Sequence, residues 1–434
     1  MIEHRPGRRT NRGRTPILAL ALLALPALGC GGRPSAPVLT FSGSAVGREA
    51  EVLRRQLARF EAANPPLRVE LRATPDSADE RRQLYVQWLN AHAADPDVLQ
   101  LDVIWTPEFA AAGWIVNLDR FAPDVERFFP AAVAANRWKG ALYALPWFVD
   151  VGMLYWRTDL MRAPPDDLGQ LAERASEAIA AGTTPFGFVW QGARYEGLIT
   201  VFLEHLGAFG GHILDESGAV AVDSDAAIRA LTFMRDAIWV SRVVPTAVLT
   251  WQEEQSRFAF QNGQAAFMRN WPYAYALLQD ASQSRVAGRF AVAPMPAGPG
   301  GAPTAALGGS QLAVNAHSED ADAAYALAAY LTEPEQMLER ARVVGQFPAR
   351  HALYEGGALD DVLGFDAATA RRIIERAAPR PVTPVYSQVS EILQVHLHRA
   401  LSRQQEPEPA LRQAAVELRR ALERAGLEGR RTPP

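Results

Sequence analysis

Apolar positions recur along the chain in two rhythms, one of period two and one near 3.6, and together they divide it into elements. Val38–Ser42 is a short apolar run that predicts a strand, Gly43–Gly47 reads as a turn, and Glu49–Ala62 sets Leu53, Leu57 and Phe60 on one face of a helix. Asn64-Pro65-Pro66 stops that helix. Leu67–Leu71 alternates as a second strand, Arg81–Ala93 returns to the helical period, and Val98–Leu101 is a third strand. Strands alternating with helices predict an α/β layer on a largely parallel sheet. In such sheets ligands gather beyond the C-terminal ends of the strands. Glu49, just past the first strand, and Asp102, just past the third, are therefore expected at the rim of a cleft.

From about Arg157 to Asp280 the pattern is richer in helix, with candidates at Leu168–Ala181, Tyr195–Phe209, Asp225–Ser241 and Gln252–Asn262, and predicts a second lobe. The run Pro294-Met295-Pro296-Ala297-Gly298-Pro299-Gly300-Gly301-Ala302-Pro303 reads as a linker or crossing loop. Gln311–Asn315 predicts a short strand and Ala321–Leu331 a helix ended by Glu333-Pro334. Helices follow at Ala367–Ala377, Ser387–Leu401 and Ala410–Ala425, the last with Leu411, Ala415, Leu418 and Leu422 at helical spacing. No internal repeat is visible.

The first thirty residues follow a different logic. Arg5, Arg8, Arg9, Arg12 and Arg14 precede an apolar run from Ile17 to Leu28, the charged-then-hydrophobic order of a secretory signal peptide, and the run is too short to span a bilayer. It ends in Ala27-Leu28-Gly29-Cys30, which resembles a bacterial lipobox: cleavage after residue 29 leaves Cys30 to be lipidated, and residues 30–37 form a flexible tether. Loss of residues 1–29 removes five arginines and one glutamate, which takes the formal net charge from −4 to −8. That acidic balance offers nothing to neutralise a phosphate backbone and argues against a nucleic-acid partner. Cys30 is the one cysteine, so an internal disulfide, a Cys-rich zinc site and a CxxC redox pair are all excluded.

The usual signatures of nucleotide, zinc-protease and esterase chemistry, GxxxxGK[ST], HExxH and GxSxG, are absent from the sequence. His396 and His398 lie two apart in a predicted helix and so point to different faces, which disfavours a metal role. The chain carries ten tryptophans, and Trp105, Trp147, Trp190, Trp251 and Trp271 lie beside polar residues in predicted loops. A flat aromatic face suits the apolar face of a pyranose, while carboxylates and arginine suit its hydroxyls. With the acidic residues Glu49, Asp102, Asp150 and Glu253, this inventory fits a carbohydrate-binding receptor. It also fits a secreted glycoside hydrolase using two cleft carboxyls. A surface lipoprotein without a small ligand is the third reading.

Four segments together narrow the choice. They are Asp102-Val103-Ile104-Trp105 with Glu108-Phe109; Tyr143-Ala144-Leu145-Pro146-Trp147-Phe148-Val149-Asp150 leading to Leu154-Tyr155-Trp156-Arg157; Phe260-Gln261-Asn262-Gly263 with Met268-Arg269-Asn270-Trp271-Pro272-Tyr273; and Arg380-Pro381 with Pro384-Val385-Tyr386. The chain thereby resembles the extracytoplasmic solute-binding proteins that feed sugars to ABC importers, within the maltose- and trehalose-binding group, over almost its whole length after the tether. The resemblance implies a periplasmic-binding-protein-like fold of two α/β lobes with a hinge and an interlobe ligand cleft. It implies residues 38–147 with 306–355 as the N-terminal lobe and 148–305 with 356–428 as the C-terminal lobe.

By motif position the resemblance also implies ligand contacts. Glu49 and Arg81 would reach the sugar from the first lobe, and Asp102 and Asp150 would accept hydroxyl bonds. Glu253 and Trp271 would come from the second lobe, Trp271 as the stacking platform, while Arg380 would donate to ring and hydroxyl oxygens. The Gly308-Gly309 pair would let backbone approach the sugar closely. Two positions depart from the group: Ser310 stands where a tryptophan often follows the paired glycines, and Phe148 where a tyrosine is frequent. The implied partners are a di- or oligosaccharide such as trehalose or maltose and a membrane permease. The implied state is a lipid-anchored monomer outside the cytoplasm, with no cofactor or metal.

Overall fold

Thirteen strands carry the computed structural model, which describes residues 36–44, 47–75, 78–359 and 361–427. The expected signal peptide, the lipidated Cys30 and all of the tether except Ala36 and Pro37 lie outside the described residues. In chain order the strands are β1 Val38–Ser44, β2 Arg68–Thr74, β3 Val98–Asp102, the short pair β4 Arg137–Trp138 and β5 Ala141–Leu142, then β6 Leu145–Val151 and β7 Met153–Arg157. They continue with β8 Phe186–Val189, β9 Ala265–Asn270, β10 Phe290–Ala293, β11 Ala305–Val314, β12 Phe347–Pro348 and β13 Ala377–Ala378.

Two sheets divide the molecule. The first has the order β12-β6-β11-β3-β1-β2 with β13 beside β11, and the second the order β10-β7-β9-β8. The expectation of a largely parallel sheet is corrected here. β1 runs parallel to β2 and β3, as their helical crossovers require, but β11 is antiparallel to both β3 and β6, and β12 to β6. The reason is the route of the chain. β6 runs out of the first sheet and continues after Gly152 as β7 of the second, while β11 returns from β10 through residues 294–304, so the outgoing and incoming strands lie side by side in opposite directions.

Helices cover each sheet where the 3.6 period expected them. Gly47–Ala63 and Ala78–Asn90 alternate with the parallel strands of the first sheet, and Ala321–Leu331 follows β11. In the second lobe Leu168–Ala180 is capped by the Asp167 carboxylate on the Gln170 N–H at 2.8 Å and buries Leu168, Leu171, Ala175 and Ala178. Glu196–Ala208 is apolar nearly all round, and nearly every residue in it is buried. Pro334 does end the helix before it, but it also opens another, Pro334–Val344, because proline fits the first turn of a helix. A core cluster runs through the crossing, joining Val149, Val151, Met153 and Tyr155 to Leu307 and Phe347 on one side and Met268 and Phe290 on the other. Among the described residues no helix is long and apolar enough to cross a membrane.

Candidate ligand site

A cavity of about 280 Å³ lies between the two sheets, lined by Asp102, Asp150, Tyr195, Glu196, Gly197, Thr200, Glu253, Trp271, Tyr273, Gly308, Gly309 and Arg380. Six of the eight residues that motif position put in a sugar site are in this wall: Asp102, Asp150, Glu253, Trp271, Gly309 and Arg380.

The first-lobe side is made of three neighbouring strands of the first sheet, and β6 stays in that sheet through Val151, so Asp150 lies here although the implied boundary after residue 147 would put it in the other lobe. Asp102 ends β3, and its Oδ1 accepts from the Ile104 N–H at 3.2 Å, which turns the carboxylate out over the strand end. Gly308 and Gly309 pair with Asp150 and Val149 across β11 and β6. At Gly309 φ is +106°, and a Cβ would stand 2.3 Å from the Phe148 carbonyl oxygen, so only glycine fits. Gly308 leaves the space into which Trp271 reaches: a Cβ there would lie 3.4 Å from the indole Cζ3. The Asp150 carboxylate makes no hydrogen bond among the described residues. Burial first, then the neighbouring Glu49 and Asp102 charges, push its pKa up to about 7. At neutral pH that group both donates and accepts, which suits a hydroxyl ligand.

The second-lobe side is built on helix starts. Glu253 opens the helix Glu253–Gln261, whose first turn is held by the reciprocal bonds of Gln252 and Gln255. Trp271 follows β9 and is held on four sides. Its N–H donates to Asn270 Oδ1 at 2.8 Å, its carbonyl accepts from the Tyr155 hydroxyl at 2.7 Å, its Nε1 donates to Glu253 Oε1 at 3.4 Å, and its ring lies over the Arg269 guanidinium at 4.0 Å. Tyr195 precedes the helix Glu196–Ala208; its hydroxyl is buried against Gly197, and burial together with the Glu253 charge raises its pKa.

Arg380 joins the two sides. Its Nη1 donates to Glu196 Oε1 at 2.9 Å and its Nη2 to Asp102 Oδ1 at 3.4 Å, one carboxylate from each lobe. Glu196 also accepts from the Tyr386 hydroxyl at 2.5 Å and from the Ser390 hydroxyl. Burial works against the Arg380 charge, but Asp102, Tyr386 and Glu196 outweigh it and raise the pKa above the ordinary arginine value.

Two expected contacts fall elsewhere. Glu49 lines an adjoining groove of about 480 Å³, sharing Tyr273 with the cavity, and accepts from Gln346 Nε2 at 3.0 Å. Arg81 is buried under the helix start: its Nη1 donates to the Pro75 carbonyl at 3.2 Å and its guanidinium faces the Trp105 ring at 5.5 Å, so it does not line the cavity. Of the five tryptophans singled out in the sequence only Trp271 reaches the cavity. Trp105, Trp147 and Trp190 are buried in the core, and Trp251 packs on Phe186 at 5.9 Å. Ser310 is turned into the sheet, where its hydroxyl accepts from Gln100 Nε2 at 3.0 Å, and Phe148 packs against Trp147 at 5.6 Å. His396 and His398 go to different partners, Glu417 at 3.1 Å and the Leu249 carbonyl at 3.0 Å.

Tyr195, Glu196, Gly197, Thr200 and Tyr273 complete the wall and were not expected. Glu196 carried a readable signal, an acid in the first turn of a predicted helix, where the helix dipole favours negative charge. Among the described residues no group of three or more His, Cys, Asp or Glu side chains is placed to hold a metal ion.

Comparison with known proteins brings the same architecture. The family described as bacterial extracellular solute-binding protein matches residues 47–338. A protein of Deinococcus radiodurans named as a probable ABC transporter-binding protein is 37% identical over 401 residues, covering 89% of this chain and 94% of that one. The maltose-bound MalE3 of T. maritima is similar at TM-score 0.79 and 42% identity, over 89% of this chain and 100% of that one. The GacH receptor of Streptomyces glaucescens, solved unliganded and with acarbose and an acarbose homologue, is similar at TM-score 0.76 and 25% identity, over 89% of this chain and 99% of that one.

Proposed function

The chain belongs to the bacterial extracellular solute-binding protein family, and from that premise we propose that it is the sugar receptor of an ABC importer. Its cargo in this reading is an α-linked glucoside such as trehalose or maltose, held between the lobes and delivered to a membrane permease. One observation carries the reading: a single cavity combines one supported aromatic face, Trp271, with hydrogen-bonding side chains from both lobes, Asp102 and Asp150 from one and Glu196 and Glu253 from the other. A pyranose presents just these two surfaces, an apolar face to stack and an equatorial belt of hydroxyls. Each hydroxyl bonded to a charged group contributes about 1.5–3 kcal/mol net, more than a neutral pair does.

Arg380 shapes the site before any ligand arrives. Because it holds Asp102 and Glu196 together, the floor keeps its form, and the lobes close on the sugar by rotation about the crossings at Gly152 and residues 294–304. Asp102, Asp150, Glu253, Trp271, Gly309 and Arg380 make direct contact, and Glu49 acts from the rim. Ser310 faces Gln100 and adds no stacking surface to those of Trp271, Tyr195 and Tyr273, the aromatic residues of the wall. A signal peptide over residues 1–29 and lipidation at Cys30 would put the receptor at the outer face of the membrane as a tethered monomer, a location that matches the family.

The test is a thermal-unfolding screen of residues 38–434 against mono-, di- and oligosaccharides. A sugar present at 100 times its Kd stabilises the protein by about 2.7 kcal/mol. A clear rise with maltose or trehalose and none with monosaccharides is expected. A cooperative melt that no sugar moves would reject the reading.

A further inference from the structure

Arg269 and Glu204 form an ion pair whose two side chains are both 0% exposed. Replacing such a pair by apolar residues is usually neutral or stabilising, so stability gives no sufficient reason for charge at this place. The contacts give one. Arg269 Nε donates to Glu204 Oε2 at 2.8 Å, its Nη2 to Oε1 at 2.5 Å, and its Nη1 to Gln191 Oε1 at 3.1 Å. That fork fixes the plane of the guanidinium, whose Cζ lies over the Trp271 ring 4.0 Å from its centroid.

The other end of the pair touches both routes between the lobes. Glu204 Oε1 accepts from the Ala306 N–H of β11 at 3.2 Å, on the return crossing. On the outgoing crossing, a Cβ at Gly152 would stand 1.7 Å from that same oxygen and 2.6 Å from Arg269 Nη2, so the carboxylate occupies the place of the missing side chain. The crossings also bond to each other, Gly152 N–H to the Ala306 carbonyl at 3.3 Å. One buried carboxylate is thus in contact with both crossings and, through one guanidinium, with the back of the aromatic platform.

We propose that Arg269 and Glu204 are a positioning unit: they set the plane of Trp271 and register it against the two crossings, so that a ring stacked on Trp271 is coupled to the hinge. A cation held under an indole in a buried site attracts the ring and resists its tilting. A lysine would keep the charge but lose the paired hydrogen bonds to the carboxylate. The effect on ligand rests on the sugar reading above; the setting of Trp271 does not.

Glu204→Gln tests it, since the amide keeps the shape and the acceptor for Ala306 while removing the charge. In protein labelled with 5-fluorotryptophan, the Trp271 fluorine line is identified by its loss in Trp271→Phe. The expected result is that Glu204→Gln shifts or broadens this line in sugar-free protein and leaves the lines of Trp105 and Trp190 in place. The Kd for maltose should rise about tenfold, and that rise should vanish in the Trp271→Phe background. An unmoved Trp271 line would overturn the proposal, and so would an equal loss of affinity in both backgrounds, which would mean a general effect on folding. If the parent protein binds no sugar, the sugar reading fails, while the fluorine line still decides the positioning role. Should Glu204→Gln not fold, Gln191→Leu removes one acceptor from Arg269 and must move the same line by a smaller amount.

Discussion

The two walls of the cavity are built on opposite principles. On the first-lobe side Asp102, Asp150, Gly308 and Gly309 sit on three adjacent strands, and what they present is strand ends and bare backbone. On the second-lobe side Glu196, Glu253 and Tyr273 are each the first residue of a helix, and Trp271 stands just before one. On the first side the backbone itself is held, in the ladder that sets Gly308 and Gly309 opposite Asp150 and Val149 and Ser310 opposite Asp102, whereas on the second side the groups are held by side-chain contacts such as those of Trp271 with Glu253 and Arg269. The glycine backbone of the first wall therefore cannot be altered without cost to the fold, while the half-buried Trp271 of the second can be altered with most of the loss falling on ligand.

The largest expected effect tests the first wall. Gly309→Ala puts a Cβ 2.3 Å from the Phe148 oxygen at a φ of +106°, and should cost about 3 kcal/mol of stability, measured by urea unfolding. A stable Gly309→Ala protein would break the comparison at once. Next, Trp271→Ala should weaken sugar binding by about 2 kcal/mol, near thirtyfold in calorimetry, with the melting temperature of free protein almost unchanged. A large drop in that melting temperature would show the second wall to be structural as well.

Asp150 sharpens the comparison through pH. Its folded pKa of about 7 lies above the ordinary aspartate value of 3.8, so between about pH 4 and pH 7 the folded state holds more proton than the unfolded one, and stability falls as pH rises through that window. Asp150→Asn should remove the slope, leaving stability unchanged at pH 4 and raising it at pH 7.5 by about 1 kcal/mol, a figure discounted because the carboxyl is partly exposed to the cavity. The smallest effect belongs to Arg81, which faces Trp105 and Pro75 outside the wall. Arg81→Met should change the Kd for sugar by less than about twofold, since Arg81 does not line the cavity. A loss of tenfold would return Arg81 to the ligand.

Much of the fold was legible, and its misreadings have local causes. The helix Ala321–Leu331 ends where its pattern ends, but β11 begins six residues before the expected Gln311, because Gly308-Gly309 interrupts the alternation that marks a strand. The same glycines are what bring backbone to the cavity. Trp147 looked available beside polar neighbours, yet it is covered by the Arg340 guanidinium at 3.9 Å and lies in the core. A bulge between Ser310 and Gln311 accompanies the turn of the serine toward Gln100, and no local pattern announces it.

What the sequence alone determined are properties that ten or so neighbouring residues encode together: the periods that make strands and helices, the stop at Asn64-Pro65-Pro66 and the placing of Asp102 at a strand end. Only the tertiary structure decided which of these residues meet. Arg380 bonds to Asp102 across 278 positions and to Glu196 across 184, and Arg269 to Glu204 across 65. Contacts at such separations depend on where two sheets are carried by strands that cross between them. A periodic pattern reports which face of an element is buried, but not which distant element will bury it.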